Sequence, residues 1–122
     1  MSINSYKFVF CSDIENDGIA YLKKDAFDNP ILIKIPHHGS PTSDDIFSFL
    51  DTSLSNTIGC TTIYHQHKLP NREIIKQYNK YCVQIDCTGT NGKDLYGIVE
   101  YSFDLFDTFT CDVYYHGHAY TF

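Results

Sequence analysis

Ile31-Leu32-Ile33-Lys34-Ile35-Pro36-His37-His38-Gly39-Ser40 is the stretch on which the fold turns. An apolar run with Lys34 as its one charge has the pattern of a strand buried on both faces, as in a parallel sheet. Pro36 has no N–H to give to a ladder and ends the strand. Two imidazoles, a glycine and a hydroxyl follow at once, so the polar chemistry lies at the strand's carboxyl end.

Working back toward the N-terminus, Tyr6 to Cys11 (YKFVFC) is an aromatic and β-branched run that ends in Ser12-Asp13. It reads as a second buried strand, with a carboxylate at its tip. Between the two strands, Ile19, Leu22 and Phe27 recur at loose helical spacing. This predicts a helix over residues 16–27, capped by Asn16 or Asp17 and closed by Asn29-Pro30.

Toward the C-terminus, Thr42 or Ser43 is placed to cap a helix running to Leu50, with Asp44 and Asp45 in its first turn. Thr57 to Tyr64 (TIGCTTIY) predicts a strand that again ends in histidines, His65 and His67. Pro70 suits the first turn of a helix to Tyr81 with Ile74, Ile75 and Tyr78 inward. Cys82 to Cys87 makes another strand. Asn91-Gly92 signals a turn, and Tyr96 to Phe103 and Thr108 to Tyr115 alternate as strands. The expected fold is α/β in the order β-α-β-α-β-α-β-β-β with a mixed sheet, and in such sheets functional groups collect at the carboxyl ends of strands.

The composition agrees with a packed α/β unit. A chain of 122 residues, 43% apolar and 16% aromatic, is sized for one domain spanning 1–122 and excludes a disordered one. A net charge of −6 argues against a broad phosphate-backbone contact, which needs clustered Lys and Arg. No apolar stretch approaches the roughly 18 residues of a membrane span, and no signal peptide opens the chain. A soluble cytoplasmic protein with no membrane partner is expected. The five cysteines are odd in number and none forms a CxxC, so they read as buried reduced thiols.

All six histidines fall in three close pairs, His37-His38, His65-x-His67 and His116-x-His118. A single histidine, or a single aspartate at a strand end, is ordinarily a surface group, a cap or a turn former. The ordered series Asp13, His37-His38 and His65-x-His67, each just past a strand, is different. Imidazole and carboxylate gathered at one sheet edge are ligands for zinc or manganese, and a metal-bound water can attack an ester or phosphodiester near neutral pH. His116-x-His118 lies in an aromatic strand and reads as structural.

That series, with Pro36-His37-His38-Gly39-Ser40 at its centre and Tyr64-His65-Gln66-His67-Lys68-Leu69-Pro70 at its end, resembles the C-terminal half of metallo-β-lactamase-fold hydrolases. The nearest likeness is the hydrolase domain of ComEC-type competence proteins. There, an apolar strand ends in Thr-Gly-Asp, Pro-His-His-Gly-Ser follows, and Tyr-Gly-His-Pro-x-Pro opens the next helix. Ser12 replaces that glycine and Lys68 the first of those prolines. The hallmark His-x-His-x-Asp-His of the family's first half has no counterpart in these residues.

The resemblance implies half of an αββα sandwich and a metal-dependent hydrolase of phosphodiesterase or nuclease type. Asp13 and His67 would be metal ligands for zinc or manganese, and His37 or His38 would act over the substrate. A two-metal site would need a partner chain, or a further segment, supplying the first half; the chain alone would be inactive, with or without a bound metal. The alternative is a non-catalytic half-fold that serves assembly, as a homo-oligomer or heteromer, through the sheet face its counterpart would cover. A nucleic acid or nucleotide substrate follows from the resemblance and gains nothing from the acidic charge.

Overall fold

The computed structural model describes residues 1–3, 6–52, 56–90, 95–104 and 110–122, with the backbone alone at residue 3. In chain order the regular elements are β1 (Ser2–Ile3), β2 (Tyr6–Phe10), α1 (Asn16–Ile19), β3 (Pro30–Lys34), β4 (Ile58–Thr61), α2 (Arg72–Tyr78), β5 (Gln84–Cys87), β6 (Gly97–Asp104), β7 (Thr110–Gly117) and β8 (Tyr120–Thr121). Short 3-10 turns at Lys24–Phe27, Pro36–Gly39, Pro41–Ser48 and His65–His67 connect them.

A mixed six-stranded sheet runs β1-β2-β3-β4-β5-β8, and a separate two-stranded ribbon pairs β6 with β7. Strands β2 to β5 are parallel and adjacent in sequence order, while β1 and β8 close the two edges antiparallel. When parallel neighbours are added in one direction, right-handed crossovers bring every connection over the same face. Ile19, Ile46, Ile74 and Tyr78 from the connections accordingly form one buried cluster with Ile33, Ile35 and Ile85 of the sheet. Each such side chain contributes about 1.5–3 kcal/mol when removed from water.

The sheet's opposite face carries a second cluster, Phe8, Ile31, Leu32 and Ile58, against which Tyr101, Phe103 and Cys111 of the β6–β7 ribbon pack. Phe8 and Phe103 meet edge to face at 5.2 Å. Asp86 on β5 is fully buried beneath the ribbon. Its carboxylate accepts from the Tyr101 and Tyr115 hydroxyls, each at 2.7 Å, and from Gln84 Nε2 at 2.8 and 2.9 Å. The face expected to stand open for a partner is therefore covered in part by the chain's own hairpin, and Asp86 pins it there.

The predicted strands all form, with ends shifted by a few residues, and β1 and β8 are additions. The predicted helices are shorter. Residues 16–27 hold only α1 and a 3-10 turn, since Gly18 and the Asn16-Asp17 pair are poor interior helix formers. Neither Asn16 nor Asp17 caps α1, whose N-cap is Glu15; the Asn16 amide instead ties α1 to the next connection through Asp44 Oδ1 and the Asp45 N–H. Residues 41–48 are 3-10 rather than α-helical, and Ser40, not Thr42 or Ser43, caps them by accepting from Thr42 N. Asn71 caps α2 by accepting from the N–H groups of Glu73 and Ile74. The Asn91-Gly92 turn lies outside the described residues.

Cys11, Cys60, Cys82 and Cys87 are buried free thiols and Cys111 is half-buried. Burial pushes Cys11 up to about 11 and Cys82 up to about 12, which keeps both protonated. Among the described residues no helix is long and apolar enough to cross a membrane.

Candidate functional site

Three loops leave the carboxyl ends of β2, β3 and β4 and are joined to one another by backbone hydrogen bonds. Ser12 O accepts from His37 N at 2.9 Å, and Gly39 O accepts from Asn71 N at 3.1 Å. Ser12 has φ 51°, and His37, His38 and Gly39 follow one another in the left-handed region at φ 43°, 54° and 72°. Consecutive histidines in that region store about 1–3 kcal/mol each and persist only where surrounding contacts over-determine them. Here Pro36 fixes the entry and Ser40 N donates to His37 O at 2.9 Å to close the turn. A Cβ on Gly39 would stand 2.9 Å from Pro70 Cβ, so the third loop packs directly on the second.

This backbone turns the two histidines to different partners. His38 Nε2 lies 3.4 Å from Asp13 Oδ1, and its Nδ1 is 2.6 Å from the Thr62 hydroxyl. Its ring stacks on Tyr64 at 5.2 Å. His37 Nδ1 instead faces Glu15 Oε1 at 2.9 Å and Thr42 Oγ1 at 3.1 Å, and the Thr42 hydroxyl donates to the same glutamate oxygen at 3.2 Å. Partial burial lowers the His38 pKa, against the pull of Asp13, so the ring is neutral at neutral pH and free to donate a lone pair.

His67 packs its ring on Tyr64, which also stacks on His38; the Tyr64–His67 centroids are 5.3 Å apart. His65 is turned away and meets Tyr96 edge-on at 5.2 Å, its Nε2 buried without a hydrogen bond among the described residues. His116 pairs with Glu100 across the ribbon at 3.0 Å, well removed in sequence and sheet from the Asp13 edge. Asp13 and His38 are thus brought together, while His37 and His67 are directed elsewhere.

Sequence reasoning gives no site role to Glu15, Thr42, Thr62, Tyr64 or Lys34. Lys34 was legible as the one charge in a buried strand. It donates to Ile35 O at 3.1 Å; burial lowers its pKa, and Asp13 is among the groups that pull it back up. The other four are ordinary polar residues whose role depends on loop geometry that no local pattern encodes.

The donor chemistry suits zinc or manganese, a carboxylate oxygen beside an imidazole nitrogen. The number does not: among the described residues no group of three or more His, Cys, Asp or Glu is placed to hold a metal ion. Catalytic zinc sites use three protein ligands. No family model, no curated protein and no solved structure matches this chain.

Proposed function

We propose that this chain forms the C-terminal half of a metallo-β-lactamase-like hydrolase fold and contributes Asp13 and a histidine to a metal-dependent site of phosphodiesterase type that another segment or a partner chain completes. The observation that carries this reading is the Asp13–His38 pair, 3.4 Å apart at the carboxyl edge of a parallel sheet. The Ser12 backbone adds to it. Its left-handed φ of 51° falls where the resembled family places glycine, the residue that adopts that conformation without steric cost. Two donors fall short of the three protein ligands of a catalytic zinc site, so hydrolysis requires the completing segment or partner.

A second reading, a non-catalytic half-fold kept for assembly, draws on His67 packing on the Tyr64 ring while the described residues bring no third ligand to Asp13 and His38. Titrating the chain with zinc and with manganese, followed by NMR and by elemental analysis, separates the two. The hydrolase reading expects zinc to shift the Asp13 and His38 signals with a Kd weaker than about 1 µM, because two ligands give far less than a closed site. Asp13→Ala and His38→Gln should each remove that binding. Zinc binding that survives both substitutions, or none up to about 1 mM, overturns it.

A further inference from the structure

Pro70, which abuts Gly39, also lines a concave pocket of about 510 Å3 between α2 and β8. We infer that this pocket binds a planar aromatic ring bearing one anionic group, a class that includes 5′-mononucleotides and simple aryl phosphates. The volume lies within the roughly 300–1,000 Å3 of small-molecule sites.

The lining supplies both halves of that ligand's chemistry. Ile63 and Ile75 are buried and give an apolar floor. Tyr120 and Phe122 stand at one wall with their rings 4.9 Å apart and 61° to each other, offering aromatic surface to a flat ring. Thr121 and Phe122 are held to β5 through Ile85 O, which accepts from Thr121 Oγ1 at 3.2 Å and from Phe122 N at 2.8 Å, so the wall is anchored.

On the opposite wall Arg72 and Lys76 are four residues apart on α2 and both reach the pocket, with Asn79 completing the row. Arg72 forms no ion pair among the described residues. Lys76 meets Glu73 at 2.7 Å, but both groups are largely exposed, and such a pair is worth too little to hold the ammonium against a better anion. Two cations beside one concavity, on a chain of net charge −6, set a local preference for an anion that the whole-molecule charge conceals. Asn79 adds an amide able both to donate to and to accept from the edge of a ring.

Position supports the same conclusion. Ile63 follows β4, and Gly89 and Thr90 follow β5, so the pocket opens at the carboxyl ends of parallel strands, where open α/β sheets bind their ligands. Thr62, the hydroxyl partner of His38, is the residue before Ile63. The site is nonetheless independent of metal ligation, because none of its lining residues is Asp13, His37, His38 or His67.

The test is a titration of the whole chain, isotope-labelled for NMR, with 5′-AMP, phenyl phosphate and inorganic phosphate. The aromatic anions should shift the Arg72, Lys76 and Tyr120 signals and saturate with Kd below about 1 mM, and inorganic phosphate should not. Arg72→Gln and Phe122→Ala should each weaken AMP about tenfold, the loss expected for one charge-assisted contact or one stacked ring. Asp13→Ala should leave the affinity unchanged, which keeps this outcome separate from that of the metal reading. Saturation by AMP alone narrows the class to nucleotides. Failure of both aromatic anions to saturate, equal binding of inorganic phosphate, or indifference to Arg72→Gln overturns the proposal.

Discussion

Two aspartates divide the molecule between them. Asp86, beneath the β6–β7 ribbon, is fully buried and accepts four hydrogen bonds from Tyr101, Tyr115 and Gln84 at 2.7–2.9 Å. Asp13, at the carboxyl edge of the sheet, is 70% exposed in its side chain and faces the His38 ring nitrogen at 3.4 Å. The first carboxylate has its bonding capacity filled and is held within the structure. The second keeps lone pairs turned to solvent, where a ligand can reach them. What separates the two is the completeness of their partners, and that sorts one into the architecture and the other into the chemistry.

The largest effect that tests this contrast is Asp86→Ala. Removing the carboxylate takes the acceptor from the Tyr101 and Tyr115 hydroxyls in a half-buried layer, and should destabilise the chain by about 3 kcal/mol. Urea unfolding reads that loss, and hydrogen exchange across residues 97–104 and 110–117 should show the ribbon loosening first. Asp13→Ala in the same experiment should stay within about 0.5 kcal/mol of the parent, as exposed sites do. Equal losses at the two positions would erase the distinction.

The same contrast explains what the sequence could disclose. The strand run of Ile31 to Ile35, the periodicity of Ile74, Ile75 and Tyr78, and the alternation in β6 and β7 are local patterns, and each became the element it predicts. The carboxyl-edge loops also announced themselves, because Asp13 and His37-His38 follow strand ends directly. Asp86 did not. Its partners Tyr101 and Tyr115 come from 15 and 29 residues away, and only the folding back of the ribbon brings them together. The direction of each histidine was equally hidden, since it is set by a run of left-handed backbone from residue 37 to 39. The mixture of Pro41, Ser43 and two aspartates was read as helix, yet these side chains compete with helical hydrogen bonding. Ser43 Oγ donates to Ser40 O at 2.9 Å, and the segment settles as 3-10.

A middle-sized effect comes from the joint between the histidine loop and α2. Gly39→Ala places a methyl group in left-handed backbone at φ 72° and 2.9 Å from Pro70 Cβ. The conformational penalty of about 1 kcal/mol is joined by a collision with a rigid ring, and about 2 kcal/mol is the expected loss. If the three loops act as one unit, exchange should rise at residues 12–13 and 71–72 as well as at 37–40. A rise confined to residues 37–40 would mean that the Asp13 edge is held by its own turn alone.

The smallest effect is a pH dependence assigned to the open region. His38 titrates from a folded pKa below the ordinary 6.5, because partial burial opposes its charged form more than Asp13 favours it. As pH falls through the unfolded-state value, the unfolded chain takes up a proton that the folded chain still refuses. Stability is therefore fully present above that value and declines as pH drops toward the folded pKa. His38→Gln removes the group, so the difference in urea midpoint between parent and variant should be flat above neutrality and narrow or reverse as pH falls below about 6.5. The proton that weakens the fold also occupies the nitrogen facing Asp13, so zinc affinity should fall over the same interval. A parent and a His38→Gln chain whose stability difference does not change with pH would show that burial of the ring is too slight to matter. The Asp13 edge would then be a solvated surface rather than a site whose imidazole the fold holds neutral and available.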